Sequence, residues 1–464
     1  GRVRITPQLI RISDDSHLWA NSYDREIEDI FTVQSDIAHN IIGEQHVTLL
    51  EPEREALEAR PTDNIEAYNA YLRGLSYHLG YLPDELERAV AMFERAVELD
   101  PDFALAHALL SANHSLSYRN GYDTTEERLA RARGAADRAL ALDQQLAEAH
   151  WAIGWYHYSK REYNEALQAY ATADRLRPND ADVVSGIADV HASQGRWREA
   201  VAGFERAVEL DPHNYRSLFE LAASLMRSRR YPAAVEMIDR AIAVAPDRPS
   251  AYVVKWWIYY HWHGPSQQSR RVLEQTPPGV AELEFNWFWQ ELMERSYEAA
   301  LHRLSSFSQP VTTWHWLLFP VSLGECWCYA WMNEPDRRRE SCEAAIVVLE
   351  QALGERPDDP AVHTSLGLAY AYLGGKERAI NHAERAMALL PISEEAKRGP
   401  DLLENAGWVF AEVGELDRAF DHVEHLLSNP TTFSIANLQL EPWWDPLRDH
   451  PRFQEILEKY GEEQ

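Results

Sequence analysis

The chain has 464 residues, of which 45% are hydrophobic, with only 21 glycines and 24 prolines, a composition typical of a folded and mostly helical protein. The formal net charge of −29 argues against a nucleic-acid-binding role, because such proteins neutralise phosphates with clustered lysines and arginines. No run of about 18 apolar residues occurs, so no membrane span is predicted. The chain opens at Gly1 without a methionine and runs directly into a strand-like pattern, which favours a fragment of a longer protein.

Residues 2–24 alternate apolar and polar side chains in the way that is typical of β-strands. Turn-forming residues from Ser13 to Ser16 separate two such runs, so a β-hairpin is predicted. An amphipathic helix is predicted from Ile30 to Leu50, because apolar residues recur there on one side. One hairpin and one helix are too small to bury a core alone.

The triplets His17-Leu18-Trp19 and Asp29-Ile30-Phe31 mark this N-terminal stretch. With the residues around them they resemble the end of the TolB-like/FlgO-like domain that precedes tetratricopeptide-repeat (TPR) arrays in bacterial signalling proteins. In those proteins the upstream part is a class III adenylate cyclase, a winged-helix DNA-binding domain or a Ser/Thr kinase. The resemblance implies that residues 1–60 are a partial TolB-like segment, without the earlier strands of such a domain and without an effector domain.

A period of 34 residues follows further along the chain, where Pro178, Pro212 and Pro246 recur at that interval. Three sets of small residues and one set of large residues keep the same interval: Gly154, Ala188 and Ala222; Ala166, Ala200 and Ala234; Ala173, Ala207 and Ala241; Tyr170, Phe204 and Ile238. Two antiparallel helices approach closely where one presents glycine or alanine and the other presents a bulky side chain. Proline ends the second helix because it lacks the N–H group. The period and these residues resemble the TPR pattern, which implies an all-α superhelix, or solenoid, of helical hairpins.

Regular TPR repeats are predicted over residues 61–248 and again over 359–430, where Gly367, Ala379 and Ala386 restore the pattern. Between these ranges the small-residue register is lost and nine of the sixteen tryptophans lie between 252 and 332, so residues 249–358 are predicted to form divergent Trp-rich helical hairpins. Residues 431–464 are predicted to form a helical cap, because the last repeat of a solenoid exposes an apolar face. The stretch from Pro442 to Leu457 also resembles the usual ending of the same bacterial proteins.

Neither catalytic activity nor a cofactor is predicted, because no nucleophile elbow, kinase loop or dinucleotide fingerprint occurs. Six histidines at the fourth or eleventh position of a repeat are expected to have packing roles: His107, His114, His150, His157, His191 and His363. Cys326-Trp327-Cys328 with Cys342 lacks the spacing of a zinc site, so buried helical positions are predicted there, and no metal. Three cysteines in a long chain do not resemble a disulfide framework. This favours a reducing compartment and a cytoplasmic location, with the periplasm as the alternative.

The first helix of each TPR repeat lines the concave face, or groove, of the superhelix. Aromatic or large apolar residues occupy most of the groove positions and are predicted to bind a partner: Tyr71, Trp151, Trp155, Tyr158, Phe219, Met226, Trp257 and Tyr260. Exposed aromatic clusters commonly mark partner sites. The alternative is that these rings pack against neighbouring helices or against an extension folded into the groove. Ser185 and Asp189 line the fourth repeat, where Lys and Asn would be expected for binding of a chaperone tail.

The function predicted from these features is that of a non-enzymatic protein-interaction scaffold, the regulatory or sensory C-terminal region of a bacterial signalling protein. Its ligand would be a peptide, or a neighbouring domain of the same protein, bound in the concave groove. Two alternatives stay open. The chain could regulate an adenylate cyclase or Ser/Thr kinase domain that it lacks, or its Trp-rich middle could enclose a small ligand.

Overall fold

Antiparallel helical hairpins follow one another from residue 65 to residue 428 in a computed structural model, which describes residues 2–11, 16–26, 33, 36–37, 39–42, 61–78, 80, 82–276, 282–314 and 317–461. The first half of the array contains helices α1 Ile65–Leu75, α2 Pro83–Leu99, α3 Ala104–Arg119, α4 Glu126–Leu142, α5 Ala147–Ser159, α6 Tyr163–Leu176, α7 Ala181–Ser193, α8 Trp197–Leu210, α9 Tyr215–Arg227 and α10 Tyr231–Val244. Each odd-numbered helix packs against the even-numbered helix that follows it.

The second half of the array continues the same alternation of paired helices. It contains α11 Pro249–His263, α12 Gln267–Gln275, α13 Glu282–Met293, α14 Tyr297–Leu304, α15 Val321–Trp331, α16 Pro335–Glu355, α17 Pro360–Leu373, α18 Lys376–Leu389, α19 Gly399–Glu412 and α20 Leu416–Ser428. The chain then forms α21 Ile435–Leu440, a 3₁₀ helix Pro442–Leu447 and α22 Pro451–Tyr460. The predicted all-α solenoid is confirmed.

Short antiparallel strands precede the array, as the alternating pattern of residues 2–24 predicts. Strand β1 Arg2–Ile5 pairs with β4 Tyr23–Glu26, and β2 Gln8–Arg11 pairs with β3 Ser16–Ala20. A further pair that the sequence did not predict, β5 Val311–Trp314 and β6 Leu317–Pro320, lies between α14 and α15. The helix predicted from Ile30 to Leu50 lies largely outside the described residues.

Small residues allow the two helices of a hairpin to approach closely. In α5 and α6, Ala166, Tyr170 and Ala173 are fully buried, and the ring of Tyr170 lies directly against Gly154. A Cβ atom on Gly154 would overlap that ring. The regular spacing between the glycine and the tyrosine in the sequence therefore reflects a contact between the two helices of a hairpin.

Replacing Gly154 with alanine is expected to lower the free energy of unfolding by about 1–3 kcal/mol, because the new methyl group overpacks the contact with Tyr170. Gly134 in α4 is the matched control, because a Cβ atom there would meet no heavy atom within 4 Å. Gly134→Ala is expected to raise the free energy of unfolding by up to about 1 kcal/mol through helix propensity alone. Urea unfolding followed by circular dichroism measures both, and similar effects at the two sites would contradict the packing argument.

Two of the cysteines form a disulfide, although the number of cysteines did not suggest a disulfide framework. Cys326 in α15 and Cys342 in α16 are bonded, with Cα atoms 5.0 Å apart, whereas Cys328 is a buried free thiol. The antiparallel hairpin brings residues 16 positions apart into register, and a count of cysteines does not reveal this. All three are buried on helices, as predicted.

Candidate functional site

The concave face of the first half holds a segment of the chain itself. Residues 391–398, here called the groove linker, connect α18 to α19 and contact Arg119 of α3, Asp189 and Ser193 of α7 and Glu220 of α9. The Ala396 N–H group donates to the Ser193 carbonyl oxygen at 2.8 Å. The groove linker is thus bound through its main chain as well as through its side chains. The surface that binds it, formed by the first helices of the repeats on the concave face, is here called the inner wall.

A buried ion pair anchors Glu395 of the groove linker. Arg119 Nη2 lies 2.6 Å from Glu395 Oε2, and the two side chains are only 3% and 1% exposed. Arg119 also donates to the Tyr158 carbonyl oxygen and to Ser193 Oγ, and its guanidinium lies 3.7 Å from the centre of the Tyr158 ring. The Tyr163 hydroxyl donates to the same carboxylate at 3.0 Å. Burial opposes ionisation of Glu395, but Arg119 outweighs it and holds the pKa of this carboxyl below its usual value.

The ammonium of Lys397 is held between two carboxylates of the inner wall. Its Nζ atom lies 2.8 Å from Asp189 Oδ1 and 2.9 Å from Glu220 Oε2. Asp189 also pairs with Arg216, whose guanidinium lies over the ring of Trp155. Burial opposes the charge on Lys397, but the two carboxylates outweigh it and raise the pKa of the amine.

The last residue of the groove linker binds the end of α3. Arg398 Nη2 donates to Asn120 Oδ1 at 2.6 Å, and Nη1 donates to the carbonyl oxygen of Arg119. Carbonyl groups at the C-terminus of a helix lack helical partners and attract cations. The wall therefore binds the acidic and the two basic residues of the groove linker at separate places.

A cavity of about 1030 Å³ continues beyond the groove linker, between the two halves of the array. Outside this cavity, Arg248, which precedes α11, donates to the carbonyl oxygens of Ser76 and His78 after α1. Arg227 and Asp401 line the cavity, and neither side chain makes a hydrogen bond or ion pair with another described residue. Burial raises the pKa of Asp401 to about 6, against the opposing effect of Arg227. The cavity thus presents a cation and an acid that are both open to a ligand.

All eight predicted groove residues are at most 8% exposed, so the expectation of exposed rings is wrong. Five of them line the cavity together with the groove linker: Trp155, Tyr158, Phe219, Met226 and Trp257. Tyr71 instead packs on Phe93 and Phe103, and the Trp151 indole donates to the Asp182 carbonyl oxygen. Tyr260 donates to Glu441. The role of these residues in binding a partner stays a prediction.

The charged residues of the inner wall are the part of the site that the sequence analysis missed, except for Asp189. Arg119 and Glu220 are buried charged residues on α3 and α9. Charges at such positions were a usable signal, because charged side chains are rarely buried without a partner. Their partners in the groove linker gave no comparable signal, since they lie in an irregular connection.

The inner face of the second half is covered by the segment that follows α20. Glu441 accepts hydrogen bonds from the Tyr260 hydroxyl at 2.7 Å, Asn437 Nδ2 at 2.9 Å and the Trp444 indole at 3.2 Å. Burial raises the pKa of Glu441 to about 7, although all three neighbours donate to it. Trp443 enters a cluster of rings from four helices: Trp289, Trp327, Trp331, Tyr372 and Trp408. Three of the nine tryptophans of the divergent region, Trp289, Trp327 and Trp331, belong to this cluster.

Three of the repeat histidines make equivalent hydrogen bonds. The Nε2 atoms of His107, His150 and His363 each lie 3.0 Å from the carbonyl oxygen six residues earlier, in the turn before the helix. The structural role predicted for these positions is confirmed. Within the described ranges no group of three or more His, Cys, Asp or Glu residues is placed to hold a metal ion.

Comparisons with known proteins identify the repeats. A family model described as tetratricopeptide repeat matches residues 125–181 and 186–251. "Putative adenylate cyclase 3" of Rhizobium meliloti (strain 1021) is 32% identical over 170 residues, which are 36% of this chain and 29% of that protein. Superkiller protein 3 of Schizosaccharomyces pombe is 24% identical over 160 residues, 34% of this chain and 11% of that protein. Among solved structures, the human IFIT1 dimer with m7Gppp-AAAA matches 77% of each chain at 14% identity, with a TM-score of 0.44.

The matched region covers less than a third of the length of each of these two curated relatives. Among the helices that the structure describes, none is both long enough and apolar enough to span a bilayer. The family match and the paired helices agree on the nature of the repeat. This chain contains tetratricopeptide repeats, stacked into an all-helical solenoid.

Proposed function

We propose that this chain is a non-enzymatic regulatory or sensory module of a bacterial signalling protein and that its inner wall binds a peptide or a neighbouring domain. TPR repeats point to a protein-interaction scaffold. The observation that carries the proposal is the groove linker, an irregular segment that the inner wall binds through Arg119, Asp189 and Glu220. A wall that binds one irregular segment of polypeptide has the chemistry to bind another.

The cavity next to the groove linker gives a partner a place to bind. Trp155, Phe219, Met226 and Trp257 supply an apolar lining, and Arg227 supplies a positive charge near Asp401. Aromatic residues and arginine dominate the binding energy of many interfaces. The eight groove residues thus keep a proposed role, in which five act in the cavity and three support its walls.

The effector would be an upstream domain of the same protein. The resemblance of residues 1–60 to a TolB-like segment and the name of the Rhizobium relative both support a parent protein with an adenylate cyclase domain. In that arrangement the chain would transmit binding at its inner wall to the cyclase. A parent protein in which the chain has no effect on cyclase activity would contradict this assignment and leave the interaction module in place.

Capture of partners from a lysate of the source organism tests the interaction module. Arg227→Glu places a negative charge in the cavity and is expected to reduce capture several-fold, because polar and charged contacts across an interface must be complementary. Arg198→Glu is the matched control, since Arg198 is exposed on α8 and the change of charge is the same. Equal capture by both variants, with unchanged circular dichroism, would contradict binding at the inner wall.

A small-ligand sensor is the second candidate, and the presence of both Arg227 and Asp401 in the lining of one cavity favours it. A ligand with both a carboxylate and an amine, such as an amino acid or a short peptide, would satisfy both groups. Binding would raise the melting temperature, because a ligand stabilises the state to which it binds. A panel of amino acids and dipeptides that changes neither the melting temperature nor the tryptophan emission would exclude this class of ligand.

A further inference from the structure

The groove linker presents its charged side chains in a fixed order to different helices. The carboxylate of Glu395 meets Arg119 on α3, and the ammonium of Lys397 meets Asp189 on α7 and Glu220 on α9. Arg398 returns to the end of α3. Ala396, the small residue between the charges, lies against the turn after α7, where its N–H group bonds to Ser193 and its Cβ atom approaches Gly195. The inner wall therefore contacts an acidic residue, a small residue and two basic residues, in that order along the chain.

Buried ion pairs between the groove linker and the inner wall contribute more to the specificity of binding than to the stability of the fold. Two buried ions lose their hydration, so an ion pair of this kind contributes little more than apolar packing of the same volume. A wrong charge at such a position is costly, because the ion opposite it stays buried without compensation. Arg119, Asp189 and Glu220 are each at most 6% exposed, so the penalty for a mismatch applies at every one of them.

A competing segment can reach the same wall. Ser393 and Glu394 of the groove linker are exposed to solvent, so a second segment can approach the groove linker there, whereas the neighbouring Glu395 side chain is buried. The cavity opens beside Glu395, Lys397 and Arg398, which all line it. A second segment could thus enter at the cavity and displace the groove linker one contact at a time.

We propose that the groove linker is an intramolecular ligand and that the inner wall recognises a partner segment with the same order of side chains, acidic, small, basic, basic. This inference rests on the proposed function and names the chemistry of the partner. In the resting chain residues 395–398 occupy the wall. A partner segment of matching charge order replaces them, which frees the connection between α18 and α19.

Anisotropy of a fluorescein-labelled peptide with the sequence of residues 391–399, PISEEAKRG, tests the proposal on the full chain. In the variant Glu395→Gln with Lys397→Gln the groove linker loses its ion pairs with Arg119, Asp189 and Glu220 and keeps only the contacts of Arg398. The peptide is expected to bind this variant at least about ten-fold more tightly than the unchanged chain. A control peptide with lysines at the acidic positions and glutamates at the basic ones is expected not to bind. Equal binding of both peptides, or no binding to the folded variant, would overturn the proposal.

Folding of the variant is checked at the same time. Lys397→Gln alone keeps Arg119 paired with Glu395, so it retains one anchor, and the same preference for the peptide is expected. The peptide is also expected to raise the melting temperature of each variant more than that of the unchanged chain, and the absence of such a difference counts against the proposal. The capture experiment with Arg227→Glu is independent, because Arg227 does not contact the groove linker in any described hydrogen bond or ion pair. Capture without peptide binding would therefore reject only the charge order.

Discussion

Replacing Trp443 with alanine is expected to lower the free energy of unfolding by about 3–5 kcal/mol, the range for removing a large buried ring. The side chain is 2% exposed, and its ring centre lies 4.6 Å from that of Trp331 and 4.8 Å from those of Trp327 and Trp408. These partners belong to α15 and α19, and Trp289 and Tyr372 add contacts from α13 and α17. The substitution would leave a cavity that four helices share and that none of them can fill alone.

The expected loss is measured by urea unfolding followed by circular dichroism. Trp197→Ala on α8 is the control, because Trp197 is only partly buried and packs at the edge of the core. A loss well below that of Trp443→Ala is expected there, in line with less buried area. Because the repeats of a solenoid are stabilised mainly by their neighbours, the second half is expected to unfold first in the Trp443 variant. Equal losses for the two variants would contradict the central role of Trp443.

The repeating part of the fold could be predicted from the sequence, because its interactions are local. Gly154 and Tyr170 lie 16 residues apart in one hairpin, and the same pair of positions recurs as Ala188 with Phe204 and as Ala222 with Ile238. A period therefore exposes the contact. The disulfide between Cys326 and Cys342 is also local, but it occurs once, and a contact without a repeat leaves no pattern.

The candidate site could be predicted only in part, because its contacts are long-range. Five of the eight residues chosen as groove positions, on α5, α9 and α11, line the cavity. It gave no sign that the groove linker fills the wall, since Arg119 and Glu395 are 276 residues apart and lie in unrelated patterns. The alternative of an extension folded into the groove describes what the structure shows.

The two halves of the array share one design. In each, the inner face is covered by a later segment of the chain, residues 391–398 in the first half and the stretch around Trp443 in the second. The chemistry differs, because the first contact is ionic and the second is aromatic. Ionic contacts can be exchanged for others of the same charge in water, whereas an aromatic cluster must be taken apart to be exchanged. The first half is therefore the better place for a reversible contact.

Glu395→Gln is expected to lower the free energy of unfolding by about 3–5 kcal/mol, because it leaves the buried guanidinium of Arg119 without its carboxylate. The double variant Arg119→Met with Glu395→Leu removes both ions. Its loss in free energy of unfolding is expected to be smaller than the sum of the losses caused by Arg119→Met alone and Glu395→Leu alone. Asp445→Asn is the control at an exposed pair, since Arg295 and Asp445 are 42% and 39% exposed, and a loss below about 1 kcal/mol is expected there. Additive losses in the double variant would show that the buried pair is not coupled.

The effect of Glu395 should also depend on pH in a defined direction. The pKa of this carboxyl is lower in the folded chain than its usual value of 4.5, so the unfolded chain takes up the proton first as the pH falls. The stabilisation is therefore complete above pH 4.5 and is lost as the pH falls through the folded-state pKa. Urea unfolding at a series of pH values is expected to show the unchanged chain and Glu395→Gln converging in acid. If the difference in free energy of unfolding between the two chains stays constant down to the lowest pH at which both fold, Glu395 is not ionised in the folded chain, because only an ionised carboxylate would lose its stabilising effect in acid.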